Sequence, residues 1–355
     1  MIKMVLTGLE QLTIQALNPG EQKTGADDVL MEVVCCGVCR TDAKMWEQGH
    51  RDLVFPRVLG HEMVVTDGNG NRFAVWPGKS CGDCRYCRSR RENLCREMKI
   101  TGFHTDGGFA HQVVLPRKSL IPISKAMDPI AACFAEPVGC VINAFEKIPE
   151  KSGEKVLVYG GGTMGLITAL YAKSMGYHPV VIETHDDKIS RVSPFLDAAG
   201  IVCTRETGEG EFYIVINACP DVIAFCQAVD KVDKAGHVCF FSGISKNETI
   251  DTNLLNLIHY KEAVISGAYG MKKGDMEKAV PFIQNHERSL SLLVEAVLPP
   301  EWAPELMPMV LTGKPLKYIL DFSKTRGQGQ DRYPDRDRDP SSPRLTLPAG
   351  APGRP

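Results

Sequence analysis

The chain has 355 residues, 43% of them hydrophobic and 24% charged, with 41 Lys and Arg against 43 Asp and Glu for a formal net charge of −2. That length exceeds what one hydrophobic core ordinarily spans, so two domains are expected, and the near-neutral balance supplies no field for capturing nucleic acid or an anionic membrane. The opening MIKMVLTGLEQLTI lacks a leader pattern and no apolar run approaches membrane-spanning length, so a cytoplasmic protein is expected; thirteen cysteines without an export signal then point to free or metal-bound thiols.

No solenoid-length repeat is visible, and the chain divides by pattern. Residues 1–149 carry short apolar runs broken by Gly and Pro, such as DDVLMEVVCCGVC, GFAHQVVLPRKSL and LIPIS, as in a β-rich domain. From residue 150 to 271 the rhythm is that of alternating strands and helices. KVLVYG reads as a buried strand, GGTMGLITALYAKSMG as a helix closed by Gly176, and PVVIE as the next strand. EFYIVINA, GHVCFFSG and EAVISGAYG continue the pattern, with PDVIAFCQAVDKV helical between them. Residues 272–322 begin with the helix GDMEKAVPFIQNH and end at LKYILDF. Residues 323–355 are charged, rich in Pro and Gly and almost free of large apolar side chains, so disorder is expected there. The fold class is α/β, a β-rich domain beside a doubly wound parallel sheet.

Cys81, Cys84, Cys87 and Cys95 follow the spacing C-x2-C-x2-C-x7-C. Short turns can bring three sulfurs together and the longer loop can return the fourth, which is a tetrahedral zinc clamp; iron–sulfur proteins use other spacings. With sulfur in all four positions the site would be closed and structural. Upstream, CGVCRTD supplies Cys39, LGHE supplies His61 and Glu62, and FAEPVGC supplies Glu136, with Cys140 a nearby rival. A thiolate, an imidazole and a carboxylate with a fourth position open suit a catalytic zinc, although each motif taken singly is weak.

Gly160, Gly162 and Gly165 form G-x-G-x-x-G between strand and helix, with Thr163 and Met164 inside the turn. Glycine there allows a tight turn and close approach of a pyrophosphate to a helix N-terminus. Glu183 ends the next strand. A carboxylate at that place binds both ribose hydroxyls and repels a 2′-phosphate, which favours NAD over NADP.

Taken together, Cys39-Arg40-Thr41-Asp42, Gly60-His61-Glu62, the four-cysteine clamp, the DGGFA turn at 106–110, Glu136-Pro137 and the glycine turn resemble the zinc-dependent medium-chain alcohol dehydrogenase family. The order of motifs matches over residues 1 to about 322. The resemblance implies a GroES-like catalytic domain, a Rossmann NAD-binding domain and two Zn2+ per chain, one catalytic and one structural. It implies Cys39, His61 and Glu136 as catalytic zinc ligands, Glu62 as their partner or an exchangeable ligand, and Arg40 and Lys188 beside the cofactor. Thr41 would pass the alcohol proton outward. Many members end that relay with a histidine three residues on, where this chain has Lys44. Liver-type members carry cysteine where Glu136 stands, so the chain is similar to the sorbitol, polyol and threonine dehydrogenase branch. The expected activity is reversible oxidation of a small-molecule alcohol, first a secondary alcohol or polyol, to the carbonyl compound by a homodimer or homotetramer. A non-catalytic zinc- and nucleotide-binding structural or sensor relative is the alternative.

Overall fold

DVLMEVVCCGV becomes one eleven-residue strand, β1 (Asp28–Val38), whose burial alternates at first and then turns nearly continuous. The reason is its neighbours, because a strand covered on both faces has no solvent side to keep polar. In the computed structural model, which describes residues 1–324 except Pro19, Glu21, Lys23, Ser152 and Ser245, β1 leads directly into helix α1 (Arg40–Gln48). Then come β2 (Glu62–Thr66), β3 (Arg72–Val75), β4 (Gln112–Pro116), β5 (Leu120–Ile123) and helix α2 (Ala135–Phe145).

The second part runs β6 (Lys155–Tyr159), α3 (Thr163–Ser174), β7 (His178–Ile182), α4 (Asp186–Ala199), β8 (Val202–Thr204) and β9 (Phe212–Asn217). It continues through α5 (Val222–Lys231), β10 (Val232–Phe240), α6 (Asn253–Lys261) and β11 (Val264–Gly267). Helix α7 (Lys273–Ser291), β12 (Val294–Leu298), α8 (Ala303–Leu311) and β13 (Lys317–Asp321) close the described chain.

Strands β6 to β11 form one sheet in the order β8-β7-β6-β9-β10-β11, with every pairing parallel. This is the doubly wound order, whose reversal between β6 and β9 opens a crevice at the strands' carboxyl ends. The other large sheet runs β5-β3-β2-β1-β13-β12, with β4 paired to the first half of β1. Its last two strands come from the far end of the chain. Tyr318 to Asp321 pair antiparallel with Val38 to Cys35, so β13 sits inside the sheet beside the strand that ends at Cys39.

Helix α2 joins the two parts. Val138, Val141, Ile142 and Phe145 share one buried cluster with Val64, Ala74 and Trp76 of the first sheet and with Val156 and Val158 of the second. A helix apolar on nearly all sides is stable only when buried between layers, and that is its position here. The segment after β11 is tied to the first part by three donors. Asn93 Nδ2 donates to the Tyr269 carbonyl at 3.0 Å, Asn143 Nδ2 to the Gly270 carbonyl at 2.8 Å and Trp76 Nε1 to the Met271 carbonyl at 3.3 Å. The segment expected to be disordered lies outside the described residues from 325 onward; Ser323 bonds Asp321 and Lys324 reaches the Val297 carbonyl.

Candidate active site

Cys39 stands at the junction of β1 and α1 as the helix N-cap. Its sulfur accepts from the Thr41 amide at 3.4 Å, and its own amide donates to Asp42 Oδ2 at 2.9 Å, a reciprocal capping pair. Asp42 is fully buried. Its other oxygen accepts from the Gly60 amide at 3.3 Å and lies 3.3 Å from His61 Nδ1, so one carboxylate caps the thiol's helix and faces the imidazole. His61 Nδ1 is poorly aligned on that oxygen and makes no hydrogen bond. Burial pulls the His61 pKa down, but Asp42 and the Cys39 sulfur reverse this and hold it well above the usual range.

Cys39, His61 and Glu62 place their ligand atoms within 4.8 Å of one another. Glu62 reaches this point because residue 37, opposite it on β1, is glycine; a Cβ there would overlap Glu62 Oε2. Both oxygens of Glu62 accept from Lys317 Nζ, at 2.8 and 2.6 Å, in a pair with almost no solvent contact. Burial alone would drive that ammonium toward neutrality. Glu62 outweighs it and raises the Lys317 pKa above the ordinary lysine value. Glu136, in the first turn of α2, stands just outside the three-residue group, with Cys140 Sγ 3.8 Å from its Oε1. Burial pushes the Glu136 carboxyl up to about 7, with His61 and Lys317 opposing and Glu62 and Asp42 adding to the rise. A soft thiol, a buried imidazole with an orphaned nitrogen and the Glu62 carboxylate are a donor set that suits Zn2+.

The clamp is assembled as well. Cys81, Cys84, Cys87 and Cys95 lie within 4.8 Å of one another, with sulfur separations of 3.8 Å for Cys81–Cys87, 3.6 Å for Cys84–Cys87 and 3.5 Å for Cys95–Cys81. Amide donors from Cys87 bring the Cys84 thiol down to about 6, as a thiolate ligand requires, while burial raises Cys87 to about 12. A divalent cation among them would offset that cost.

At the other lobe, Gly160 to Gly165 form the turn between β6 and α3, with Gly162 as N-cap and Thr163 and Met164 opening the helix. Glu183 follows β7 and faces this turn. Its Oε2 accepts from the Gly161 amide at 3.1 Å, Oε1 contacts His185 Nδ1 at 2.9 Å, and Lys188 Nζ is 3.6 Å away. Burial raises the Glu183 pKa, but His185, Lys188 and the two amides bring it below the usual value. Arg40 is turned instead toward α8, its guanidinium 3.4 Å from the Leu311 carbonyl. Thr41 and Lys44 are half-buried on α1.

Gly165 has no room for a side chain: a Cβ would run into the Gly160 carbonyl oxygen. Gly165→Ala is expected to weaken NADH binding at least tenfold and lower stability by about 1–3 kcal/mol. Fluorescence titration of NADH and thermal melting check this; wild-type affinity would show that the turn yields freely.

Two residues here were not assigned roles by sequence. Asp42 carried a local signal, the C-x-x-D spacing of a capping pair. Lys317 carried none, being 255 positions from Glu62.

The alcohol dehydrogenase GroES-like domain profile matches residues 25–125. L-galactonate-5-dehydrogenase of Escherichia coli (strain K12) is 28% identical over 276 residues, covering 75% of each chain. A sorbitol dehydrogenase of Halalkalibacterium halodurans is 28% identical over 298 residues, covering 77% of this chain and 85% of its own. Among solved structures, an alcohol dehydrogenase from Thermotoga maritima superposes with a TM-score of 0.80 at 20% identity, covering 90% of this chain and 98% of that one. With the motifs of both lobes assembled as above, the chain carries an alcohol dehydrogenase GroES-like domain and is similar over most of its length to zinc-type alcohol, sorbitol and threonine dehydrogenases.

Proposed function

We propose that the protein oxidises a secondary alcohol or polyol to the carbonyl compound with NAD, reversibly, using a catalytic zinc held by Cys39 and His61 with Glu62 and Glu136 at hand. The observation that carries this is the convergence of a thiol, an imidazole and a carboxylate within 4.8 Å, in a chain whose curated relatives are alcohol, polyol and threonine dehydrogenases. Zinc there would supply Lewis acidity that lowers the pKa of the substrate hydroxyl. The balance is simple: the C–H bond gives its electron pair and hydrogen to the nicotinamide, the O–H bond gives its proton to solvent, and a C=O bond forms. The chain's own part is to hold and to conduct. Asp42 orients His61, and the Thr41 hydroxyl, able to donate and accept together, passes the proton outward. Lys44 takes the place of the family's relay histidine, as a positive charge beside the exit.

The same reading makes Glu183 the ribose-binding carboxylate that favours NAD over NADP, with Arg40 and Lys188 as further cofactor contacts and a second, structural zinc in the clamp. Domain limits at 1–149, 150–271 and 272–322 and a cytoplasmic setting belong to it too. A homodimer or homotetramer is supported by the exposed Val264 and Ile265 on the edge strand β11. No described helix is long and apolar enough to cross a membrane. The non-catalytic alternative finds no support in the comparisons.

The test is to mix zinc-loaded protein with NAD or NADP and a panel of secondary alcohols and polyols, and to follow absorbance of the reduced cofactor. NAD-dependent turnover is expected. A protein carrying two zinc ions per chain that binds NADH yet oxidises nothing on the panel would end the proposal.

A further inference from the structure

Glu183 is buried, yet the ring that holds it is not. Oε2 accepts from the Gly161 amide at 3.1 Å and lies 3.6 Å from Lys188 Nζ, while Oε1 accepts from the His185 amide at 3.2 Å and meets His185 Nδ1 at 2.9 Å. The His185 side chain is 67% exposed. It stands at the N-cap of α4 without bonding that helix, so apart from Thr184 Oγ1 at 3.3 Å its partner is the carboxylate.

A neutral imidazole carries one proton, and a carboxylate oxygen at 2.9 Å keeps that proton on Nδ1. Nε2 is then the nitrogen that gains a second one, and histidine is the side chain whose charge changes between about pH 5 and 8. Facing the ring are Glu183 after β7, then Asp186, Asp187 and Lys188 in the first turn of α4. Arg205 lies beyond β8, which the Glu183 amide draws alongside by donating to the Thr204 carbonyl at 3.0 Å. Aspartate, lysine and arginine keep their charges through that window. Burial would lift the Glu183 carboxyl, but His185, Lys188 and two amides hold it below its usual value, so it stays ionised too. Burial pushes the neighbouring Cys203 and Cys219 thiols up to about 11, and they stay neutral.

The local charge therefore turns on one proton. Lys188 offsets Glu183, and Arg205, 2.8 Å from Asp186, offsets that residue, so with the ring neutral Asp187 leaves one surplus negative charge. A doubly protonated ring cancels it. Arg191, further along α4, adds nothing, because it is turned to the Lys314 carbonyl and to Glu295. A carboxylate at this place takes the ribose hydroxyls of NAD, whereas a cation nearby accommodates the 2′-phosphate of NADP. Both kinds of group are present, and one of them is switchable.

We propose that His185 is a specificity-determining residue for the cofactor: with a neutral ring it presents Glu183 to the ribose hydroxyls of NAD, and with a charged ring it joins Lys188 in receiving a 2′-phosphate. This rests on Glu183 as the ribose-binding carboxylate and makes the preference for NAD a property of one proton. The preference is full above the histidine range and shrinks as pH falls through it.

Fluorescence titrations of NADH and NADPH at about pH 5.5 and about pH 8.5 give the ratio of the two dissociation constants in wild type, His185→Asn and His185→Lys. Asparagine is a good N-cap and keeps an N–H for Glu183 but takes up no proton, whereas lysine is charged at both pH values. On acidification the wild-type preference for NADH should shrink about fivefold more than that of His185→Asn, whose own change reports protonation of the 2′-phosphate. At the higher pH His185→Lys should show a preference about fivefold weaker than wild type. A preference that moves equally with pH in wild type and His185→Asn, or that His185→Lys leaves at the wild-type value, overturns the inference, while NADH binding keeps the dehydrogenase reading in place. A protein that binds neither reduced cofactor ends both.

Discussion

Cys39→Ser should reduce kcat/KM by about a thousandfold or more, equivalent to about 4 kcal/mol, while zinc content falls by one ion per chain. The substitution isolates metal chemistry because the local fold has no reason to object. Cys39 is an N-cap whose sulfur accepts from the Thr41 amide, and serine is a better residue for that task. What disappears is the thiolate, because a serine hydroxyl stays protonated near neutrality and binds zinc poorly. NADH affinity should stay within about twofold of wild type, since the Gly160 turn and Glu183 belong to the other lobe. Elemental analysis, cofactor titration and steady-state rates check the three statements together. Retention of more than a tenth of the activity would mean that the thiol is not a ligand.

Lys317→Met acts through the opposite kind of group, a buried cation with no chemistry of its own. Lys317 and Glu62 expose almost nothing to solvent and meet at 2.6 Å. Removing one member of such a pair leaves an uncompensated buried charge, which typically costs about 3–5 kcal/mol. The metal-free variant should melt correspondingly lower than metal-free wild type. Added zinc should stabilise the variant more than it stabilises wild type, because a carboxylate released by Lys317 is free to ligate. Thermal melts of both proteins, with and without zinc, read this directly. A metal-free variant as stable as wild type would show that Glu62 finds another way to lose its charge. Loss of stability without the larger zinc response would separate structural support from control of the ligand.

The parts of the site that were legible in the sequence are those built from neighbours along the chain. The four-cysteine cluster needs only the turns between Cys81 and Cys95, and the glycine turn needs only Gly160, Gly162 and Gly165 between a strand and a helix. Their spacing is their geometry. The β-rich and alternating portions were readable for the same reason, since KVLVY or HPVVI show their burial in their own apolar runs. Pairings across the fold were not. Nothing in PLKYILDF announces that Lys317 will meet Glu62, or that its strand will enter the first sheet beside β1. Helix α4 was also faint, with only Val192, Phe195 and Leu196 buried and Pro194 inside it. Asp42 was readable as part of a motif but not as the carboxylate that secures His61, because that contact depends on how Gly60 returns the chain.

The placement of β13 between β1 and β12 bears on how the protein is born. On a ribosome, everything from β1 to the whole parallel sheet emerges before β13 does. Until then β1 has an unsatisfied edge at Cys35–Val38, beside Cys39, and Glu62 has no countercharge. A nascent chain therefore holds its ligands on an unfinished scaffold, and a polypeptide truncated before Lys317 would never complete it. Completion of the sheet around Cys39 and Glu62 is thereby left to the last described strand.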